Sequence, residues 1–280
     1  MKELGYYNGT IGELETMTVP MNDRACWFGD GVYEAHMCRN YRIFTLDEHV
    51  DRLFSSAEML RIRPPMSKDE LKALLNSLVK KMDTGSLSVY YQVTRGSGKR
   101  NHAFPKGGAN LWITLTPREM NLTKEPIGLI TAEDTRFLHC NIKTLNLIPS
   151  VMANQQAQEA GCYECVLYRA GGRVTECSHS NVHILKDGVL YTAPRDNLIL
   201  PGITRAHLIA ACKRLGIPVR EEPFTVADLM NADEILTSSS TRLCARACRV
   251  DGQSAGMRSP ELFNALHDAL REEYLSATDA

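Results

Sequence analysis

The order of apolar and polar residues predicts that the first part of the chain is a mixed α+β unit. Alternating apolar positions predict two paired strands in residues 31–44 and further strands at 87–95 and 109–116. Between them, apolar residues that recur every three or four positions predict two helices, over residues 45–60 and 67–82. The predicted order is therefore two strands, two helices and two strands.

Each predicted helix begins with a recognisable signal. Thr45 precedes Glu48 by three residues, and Ser67 precedes Glu70 by the same spacing. In such a capping box the hydroxyl and the carboxylate each accept a hydrogen bond from an unpaired backbone N–H at the helix start. We expect a capping box at both positions.

A polar segment without periodicity, residues 118–126, interrupts this pattern. It lies between Pro117 and Pro126 and is typical of a linker between domains. We expect a small α+β domain at 1–117, an interdomain loop at 118–126 and a larger domain at 127–280.

The second part of the chain mixes strands and helices. A strand run is predicted up to Lys143, followed by a helix that ends at Gly161 and by three further strands. The next helix is predicted to begin with Thr204 as its N-terminal cap and to end at Gly216. A last helix is predicted from Ser259 onward.

Composition excludes several classes of protein. The formal net charge is -1, so no strongly basic surface is expected for nucleic acid or anionic lipid. No apolar run is long enough to cross a membrane, and the first residues lack the apolar core of a signal peptide. The nine cysteines follow no disulfide spacing, which fits the reducing cytoplasm.

Two pairs of residues could be metal ligands, but their surroundings in the sequence do not favour a metal site. Cys162 and Cys165 have no second pair at zinc spacing, so we interpret them as packing residues at the start of a strand. His179 and His183 have no convincing third ligand. No metal site is expected.

Lys143 is the first candidate for chemistry because it stands in an apolar run, residues 140–149, with no acidic residue within four positions. Its stem could lie on apolar surface while the ammonium reaches water. Alternatively, a buried amine becomes a nucleophile toward carbonyls, as in a Schiff base with pyridoxal phosphate. The second interpretation requires a phosphate site and a carboxylate for the pyridine nitrogen.

Other residues could meet these requirements, and each has an ordinary alternative. Residues 202–204 lie at a helix start, where free N–H groups favour a phosphate, although a simple cap has the same pattern. Glu176 ends a strand and could hold a pyridinium proton or be a solvated turn residue. Arg52 could bind phosphate but lies opposite the apolar stripe of its helix, where it would face solvent or a cleft between domains.

Seven collinear motifs make the chain similar, along nearly its whole length, to the class IV pyridoxal-phosphate aminotransferases. This family also holds branched-chain aminotransferases and aminodeoxychorismate lyase, and the resemblance is greatest to its bacterial D-amino acid aminotransferase branch. The motifs are FGDGVYE (28–34), DEHVDRL (47–53), QVTRG with RNH (92–102), NIKTLNLI (141–148), VTE with SN (174–181), LPGITR (200–205) and DEILTSSST (233–241).

The resemblance implies a cofactor, pyridoxal 5′-phosphate, and the residues that bind it. Lys143 is the implied Schiff-base lysine and the proton shuttle between the cofactor and the substrate α-carbon. Glu176 is implied to face the pyridine nitrogen. The implied phosphate ligands are Arg52, Ile203, Thr204 and Ser240.

The resemblance also implies the substrate residues and the assembly. Tyr33 lies beside the substrate, and Arg100 with His102 binds the substrate carboxylate across a homodimer. The implied fold is a two-domain mixed α/β fold of type IV, with the cofactor between a small α+β domain and a larger domain that has a mixed, partly barrel-like sheet. In such a fold Arg52 faces the cleft.

The expected activity is ping-pong transfer of an amino group from a D-amino acid (D-alanine, D-glutamate or D-aspartate) to a 2-oxo acid such as 2-oxoglutarate or pyruvate. The residues Thr241-Arg242-Leu243 replace the Gly-Thr-Ala type segment of branched-chain relatives, which argues against those enzymes. The alternatives are aminodeoxychorismate lyase, a branched-chain transaminase or an (R)-amine transaminase.

Two departures from the family pattern have no assigned role. His179 replaces a small serine of close relatives. Arg242, Arg246 and Arg249 form a basic segment that we interpret as solvated surface charge. A sharper hypothesis places Arg242 near the substrate pocket, where it would favour acidic D-amino acids.

Overall fold

The computed structural model of the protein describes residues 1–279. The chain forms two compact units. The first consists of Met1–Met120, Ile142–Asn146 and residues 274–279, and the second of Asn121–Asn141 and Leu147–Glu273. The continuous domains expected from the sequence, 1–117 and 127–280 with a loop at 118–126, remain a prediction.

The first unit is built on one antiparallel sheet of six strands. The strands are β1 (Leu4–Tyr7), β2 (Thr10–Glu13), β3 (Gly31–Arg39), β4 (Arg42–Ile43), β5 (Leu87–Thr94) and β6 (Asn110–Pro117). Their order across the sheet is β2-β1-β6-β5-β3-β4. The helices are α1 (Arg24–Phe28), α2 (Leu46–Met59) and α3 (Lys68–Val79). Strands and helices thus follow the predicted order from residue 31 to residue 117.

Apolar side chains of α2, α3 and the sheet form the core of this unit. Val50 and Leu53 of α2 and Leu75 of α3 are buried together with Val89 and Tyr91 of β5. The helices therefore form where their apolar stripes can be removed from water.

One predicted capping box is confirmed and the other is wrong. The Ser67 hydroxyl accepts from the Glu70 N–H, and the Glu70 carboxylate accepts from the Ser67 N–H, as predicted. Thr45 has a left-handed backbone (φ 52°) and makes no side-chain cap; its hydroxyl donates to the Phe44 carbonyl at 2.8 Å. That conformation directs the hydroxyl away from the first turn of α2.

The second unit is built on a mixed sheet of nine strands, which confirms the predicted mixed α/β class. The strands are β7 (Ile127–Glu133), β8 (Glu164–Arg169), β9 (Arg173–Cys177), β10 (Asn181–Lys186), β11 (Val189–Thr192), β12 (Val219–Glu221), β13 (Glu234–Ser239), β14 (Leu243–Val250) and β15 (Gln253–Ser254). The order is β12-β11-β10-β13-β14-β7-β8-β9, with β15 paired to β14. Strand β7 is parallel to both β8 and β14.

Four helices accompany this sheet: α4 (Ile148–Glu159), α5 (Ile203–Arg214), α6 (Val226–Met230) and α7 (Pro260–Thr278), whose last residues belong to the first unit. No helix formed by residues 1–279 combines the length and the apolar character that a membrane span requires.

Two local predictions in this part of the chain are wrong. The strand predicted up to Lys143 ends at Glu133, and residues 142–146 are irregular because their backbone bonds go to β3. Gly202, not Thr204, is the N-cap of α5; the Gly202 backbone is extended and its carbonyl accepts from the Ala206 N–H at 3.1 Å.

Candidate active site

Lys143 lies in a short irregular segment that is fixed against β3. The Tyr33 N–H donates to the Lys143 carbonyl at 3.0 Å, and the Leu145 N–H donates to the Gly31 carbonyl at 3.1 Å. A Cβ on Gly31 would come within 2.7 Å of the Leu145 side chain, so only glycine allows this close packing. Backbone bonds at Lys143 and at Leu145 therefore hold the segment in place.

The Lys143 ammonium lies over an aromatic ring. Its Nζ is 4.3 Å from the centroid of the Tyr33 ring, a cation–π distance. Tyr33 stacks on Tyr90 with centroids 5.6 Å apart, and the Tyr90 hydroxyl donates to Gln92 Oε1 at 2.6 Å. Burial raises the pKa of Tyr90, so this hydroxyl stays neutral. Lys143 is partly buried, whereas its interpretation as a reactive amine expected a buried side chain.

Arg52 belongs to a buried charge network that the sequence interpretation missed. Its Nε and Nη2 donate to the two oxygens of Glu34 at 2.7 and 2.8 Å, and His49 Nδ1 lies 2.7 Å from Glu34 Oε2. The Glu34 side chain is fully buried, and that of Arg52 is 11% exposed, so a solvated Arg52 is wrong. The sequence holds a signal for Glu34. It lies two residues after Val32, so both side chains point to the buried face of β3, where an acid requires a partner.

This network keeps Glu34 ionised. Burial alone would raise its pKa, but the charge and hydrogen bonds of Arg52, with His49, hold the pKa of Glu34 well below its ordinary value. The ionised carboxylate in turn fixes the plane of the guanidinium by a two-pronged contact. Glu34 therefore orients Arg52.

Arg100 and His102 are both exposed and lie beside one aromatic ring. The Cζ of Arg100 is 5.4 Å from the centroid of Phe28, and the His102 ring centroid is also 5.4 Å from it. Tyr33 belongs to the same compact unit. The structure thus brings the two predicted carboxylate-binding side chains together.

Glu176 is buried at the end of β9 in the second unit, so the alternative of a solvated turn residue is wrong. Its Oε2 accepts from Asn181 Nδ2 and from the Leu200 N–H, both at 3.0 Å, and Arg136 forms an ion pair with Oε1. Burial lowers the pKa of Arg136, but hydrogen bonds to Asp134 and the charges of Glu176 and Asp134 outweigh it and raise this pKa. A charged guanidinium stabilises a neighbouring carboxylate in its ionised form.

The N-terminus of α5 is suited to an anion. No side chain caps this helix, its first turn holds no acidic residue, and its first two residues, Ile203 and Thr204, are buried. A Cβ on Gly202 would come within 1.9 Å of Asn181 Oδ1, so glycine is required there. The free N–H groups and the helix dipole favour a phosphate at this end.

Ser240, the remaining predicted phosphate ligand, lies in the turn between β13 and β14 and is partly buried. The hydroxyls of its neighbours Ser239 and Thr241 are 3.4 Å apart. This turn is therefore rich in hydroxyl groups, as the sequence indicated.

The basic segment is mostly buried, so its interpretation as solvated charge is wrong for two of its three arginines. Arg242 donates to the Glu125 carbonyl at 3.0 Å, and Arg246 Nε donates to Glu234 at 3.1 Å. Arg242 also lies over the Tyr163 ring at 4.9 Å. Only Arg249 is exposed.

His179 forms a pair with a buried acid. Its Nδ1 is 3.2 Å from Glu164, and its backbone N–H donates to the same carboxylate at 2.6 Å. Burial raises the pKa of Glu164, although His179, Ser180 and Ser178 oppose the shift. The turn after Glu176 is thus tied to a buried carboxylate.

The cysteine pair agrees with its interpretation as packing residues. Cys162 and Cys165 are buried free thiols at the start of β8. Within residues 1–279, no group of three or more His, Cys, Asp or Glu side chains is arranged to hold a metal ion.

Comparison with known proteins relates this geometry to one family. The family model described as amino-transferase class IV matches residues 31–250. The D-alanine aminotransferase of Listeria monocytogenes serotype 4b is 43% identical, over 96% of each chain. The D-alanine aminotransferase of Bacillus licheniformis is 39% identical, over 97% of each chain.

Solved structures show the same fold. The branched-chain amino acid aminotransferase of Escherichia coli has a TM-score of 0.90 and 25% identity, covering 100% of this chain and 97% of that chain. A putative 4-amino-4-deoxychorismate lyase of Legionella pneumophila has a TM-score of 0.85 and 23% identity, covering 93% of this chain and 97% of that chain. With the family match over residues 31–250 and relatives at 39–43% identity, the chain belongs to the class IV aminotransferases.

Proposed function

We propose that the protein is a D-amino acid aminotransferase that transfers the amino group of a D-amino acid to a 2-oxo acid such as 2-oxoglutarate or pyruvate. The observation that carries the proposal is 43% identity to a D-alanine aminotransferase over 96% of both chains. The paired positions of Arg100 and His102 support it, because an amino acid substrate presents a carboxylate.

Class IV aminotransferases use pyridoxal 5′-phosphate, and the residues present fit this group. The uncapped start of α5 suits its phosphate, together with Arg52 and Ser240, and the carboxylate of Glu176 suits its pyridine nitrogen. The Lys143 amine suits its aldehyde. When bound, the cofactor supplies an electron sink for the electrons left at the substrate α-carbon.

Lys143 would then move the proton of the reaction. As a free amine, Lys143 would accept the proton from the substrate α-carbon. As an ammonium, it would then donate a proton to the cofactor carbon. The backbone bonds from the Tyr33 N–H and to the Gly31 carbonyl keep the lysine in one position while it does so.

Tyr33, Arg100 and His102 would bind the substrate carboxylate. The proposal includes a homodimer in which the segment with Arg100 and His102 of one subunit reaches the substrate held by the other. It also includes a cytoplasmic location, with which nine free thiols agree.

The proposal is tested by a half-reaction without an acceptor. Protein reconstituted with pyridoxal 5′-phosphate is expected to release one equivalent of pyruvate from D-alanine per bound cofactor, and none from L-alanine. The measurement is quenched-flow quantitation of the 2-oxo acid, with D-glutamate, L-glutamate and L-leucine in parallel. Conversion of L-leucine and L-glutamate alone would replace the proposal by a branched-chain transaminase. No conversion of any amino acid by cofactor-loaded protein would favour the lyase.

Substrate choice is tested at Arg242. The side chain is buried, its Nε has no hydrogen-bond partner within residues 1–279, and its positive charge would favour the acidic side chain of a substrate bound nearby. Arg242→Ala is expected to raise KM for D-glutamate about 10-fold more than KM for D-alanine, the size of one lost charged hydrogen bond. The matched control is Arg249→Ala, which removes an exposed arginine from the same segment. Equal increases for both substrates would contradict a role in selecting acidic side chains.

A further inference from the structure

The loop that carries Arg100 and His102 joins β5 to β6 and is exposed at its tip, residues 99–104. Its first part is fixed by backbone bonds: the Arg24 N–H donates to the Gly96 carbonyl at 3.0 Å, and the Gly98 N–H donates to the Asn22 carbonyl at 3.0 Å. The tip itself needs a different anchor, because long exposed loops otherwise sample many conformations.

The Arg24 side chain supplies this anchor. Its Nη1 donates to the carbonyls of Asn101 at 2.5 Å and Ala103 at 3.3 Å, and its Nη2 lies 3.5 Å from the His102 carbonyl. One guanidinium thus contacts three successive carbonyls of the tip. Arg24 is buried, with 5% of its surface exposed, although it is charged.

Asp30 holds this guanidinium from the other side. Arg24 Nε donates to Asp30 at 2.7 Å, and Arg95 Nε, at the start of the loop, donates to the same carboxylate at 2.9 Å. Asp30 therefore fixes the orientation of Arg24 independently of the tip, and the remaining Arg24 donors point to the 101–103 carbonyls.

Phe28 connects the anchor with the side chains that matter for the substrate. It lies four residues after Arg24 in α1, so both project from one face of that helix. The Phe28 ring has Arg24 at 4.8 Å, and Arg100 and His102 each at 5.4 Å. The backbone of the tip is thus held by Arg24, and the side chains of Arg100 and His102 rest on the neighbouring Phe28 ring.

We propose that Arg24 is a positioning residue for substrate binding: it fixes the backbone of residues 101–103 so that Arg100 and His102 present their donors together to the substrate carboxylate. The inference rests on the proposed function, in which these two side chains bind that carboxylate. Arg24 acts through the loop, because its own donors are occupied by Asp30 and the carbonyls. A misplacement of about 1 Å at such residues can reduce turnover of subsaturating substrate about 100-fold.

The anchoring step is tested without catalysis by amide hydrogen exchange of residues 98–106 in substrate-free holoenzyme. Arg24→Met is expected to speed exchange at the tip at least about 10-fold, because the tip opens locally. Arg24→Lys keeps the charge beside Asp30 but loses the forked donors, so an intermediate rate is expected. Lys106→Met, which removes an exposed charge from the same loop, is the matched control and should exchange like the unchanged protein. Unchanged exchange in Arg24→Met would overturn the anchoring.

The positioning step is tested by kinetics. Arg24→Met and Arg24→Lys are expected to raise KM for D-alanine by about 100-fold and 10-fold, with far smaller changes in kcat. In a double-mutant cycle, the effects of Arg24→Met and Arg100→Met should be clearly less than additive, because both remove the contact of Arg100 with the carboxylate and only the disturbance of His102 remains separate. Fully additive effects, or an unchanged KM in Arg100→Met, would overturn the action through Arg100. Failure of the proposed function would give a different result from failure of the Arg24 proposal, because the holoenzyme without any substitution would then not convert D-alanine.

Discussion

Replacement of Lys143 by arginine is expected to lower kcat for D-alanine transamination by at least about 10³-fold, because a positioned proton-transfer group contributes about 10²–10⁴-fold. A guanidinium keeps the positive charge over the Tyr33 ring, now 4.3 Å from the lysine Nζ. It does not lose its proton at neutral pH, so it can neither attack an aldehyde nor accept a proton from carbon. The substitution therefore keeps the positive charge at position 143 and removes only the ability to act as a nucleophile and a base.

The measurement is steady-state turnover of D-alanine with 2-oxoglutarate as acceptor, with thermal unfolding as a check on the fold. The matched control is Lys124→Arg, at an exposed lysine that pairs with Asp268 at 2.8 Å, and its kcat should be unchanged. In Lys143→Ala, added small primary amines should restore part of the turnover, whereas Lys143→Arg leaves them no space. A kcat of Lys143→Arg within 10-fold of the unchanged enzyme would show that the proton is moved by another group.

Replacement of Glu34 by glutamine is expected to lower the free energy of unfolding by about 3–5 kcal/mol, the typical cost of removing one member of a buried ion pair. Glu34 is fully buried and receives two hydrogen bonds from Arg52 and one contact from His49. Glutamine has nearly the same shape but no charge, so the guanidinium is left without its counter-charge. Urea unfolding of the protein measures the difference.

The effect should depend on pH in a defined direction. The pKa of Glu34 lies below its ordinary value of 4.5, so its stabilisation is complete above pH 4.5 and is lost as the pH falls through the folded-state pKa. The difference between the two proteins should thus be constant from neutral pH down to about pH 5 and shrink in stronger acid. Asp51→Asn, at an exposed pair with Lys68, is the control and should show the small effect of surface ion pairs. A difference for Glu34→Gln as small as that of the control would contradict a buried, ionised Glu34.

Local sequence signals predicted elements that depend only on neighbouring residues. The Ser67–Glu70 capping box and the helix after it formed as predicted, because both partners lie within one helical turn. The Thr45–Glu48 box has the same spacing and failed, because the turn before α2 places Thr45 in a left-handed conformation. The same spacing of a hydroxyl residue and a glutamate therefore gave different local structures in different tertiary surroundings.

The site was predicted as a set of residues but not as an arrangement. The motifs indicated Lys143 and Glu176, whereas the lysine's segment is shaped by bonds to β3 from residues about a hundred positions away. The cap of α5 is Gly202 rather than Thr204, and position 202 requires glycine because Asn181 packs within 1.9 Å of where a side chain would begin. No local pattern contains that distance.

The sequence by itself determined the family, the order of strands and helices from residue 31 to residue 117, and the residue types available for chemistry. Periodicity and motif order are properties of the chain, so they can be read without coordinates. Tertiary structure alone decided which charges are buried and with what partner, as for Glu34 with Arg52, and Arg242 with a carbonyl 117 residues away. A buried charge is stable only when a distant part of the fold supplies its counter-charge or hydrogen bonds, and that pairing exists only once the chain has folded.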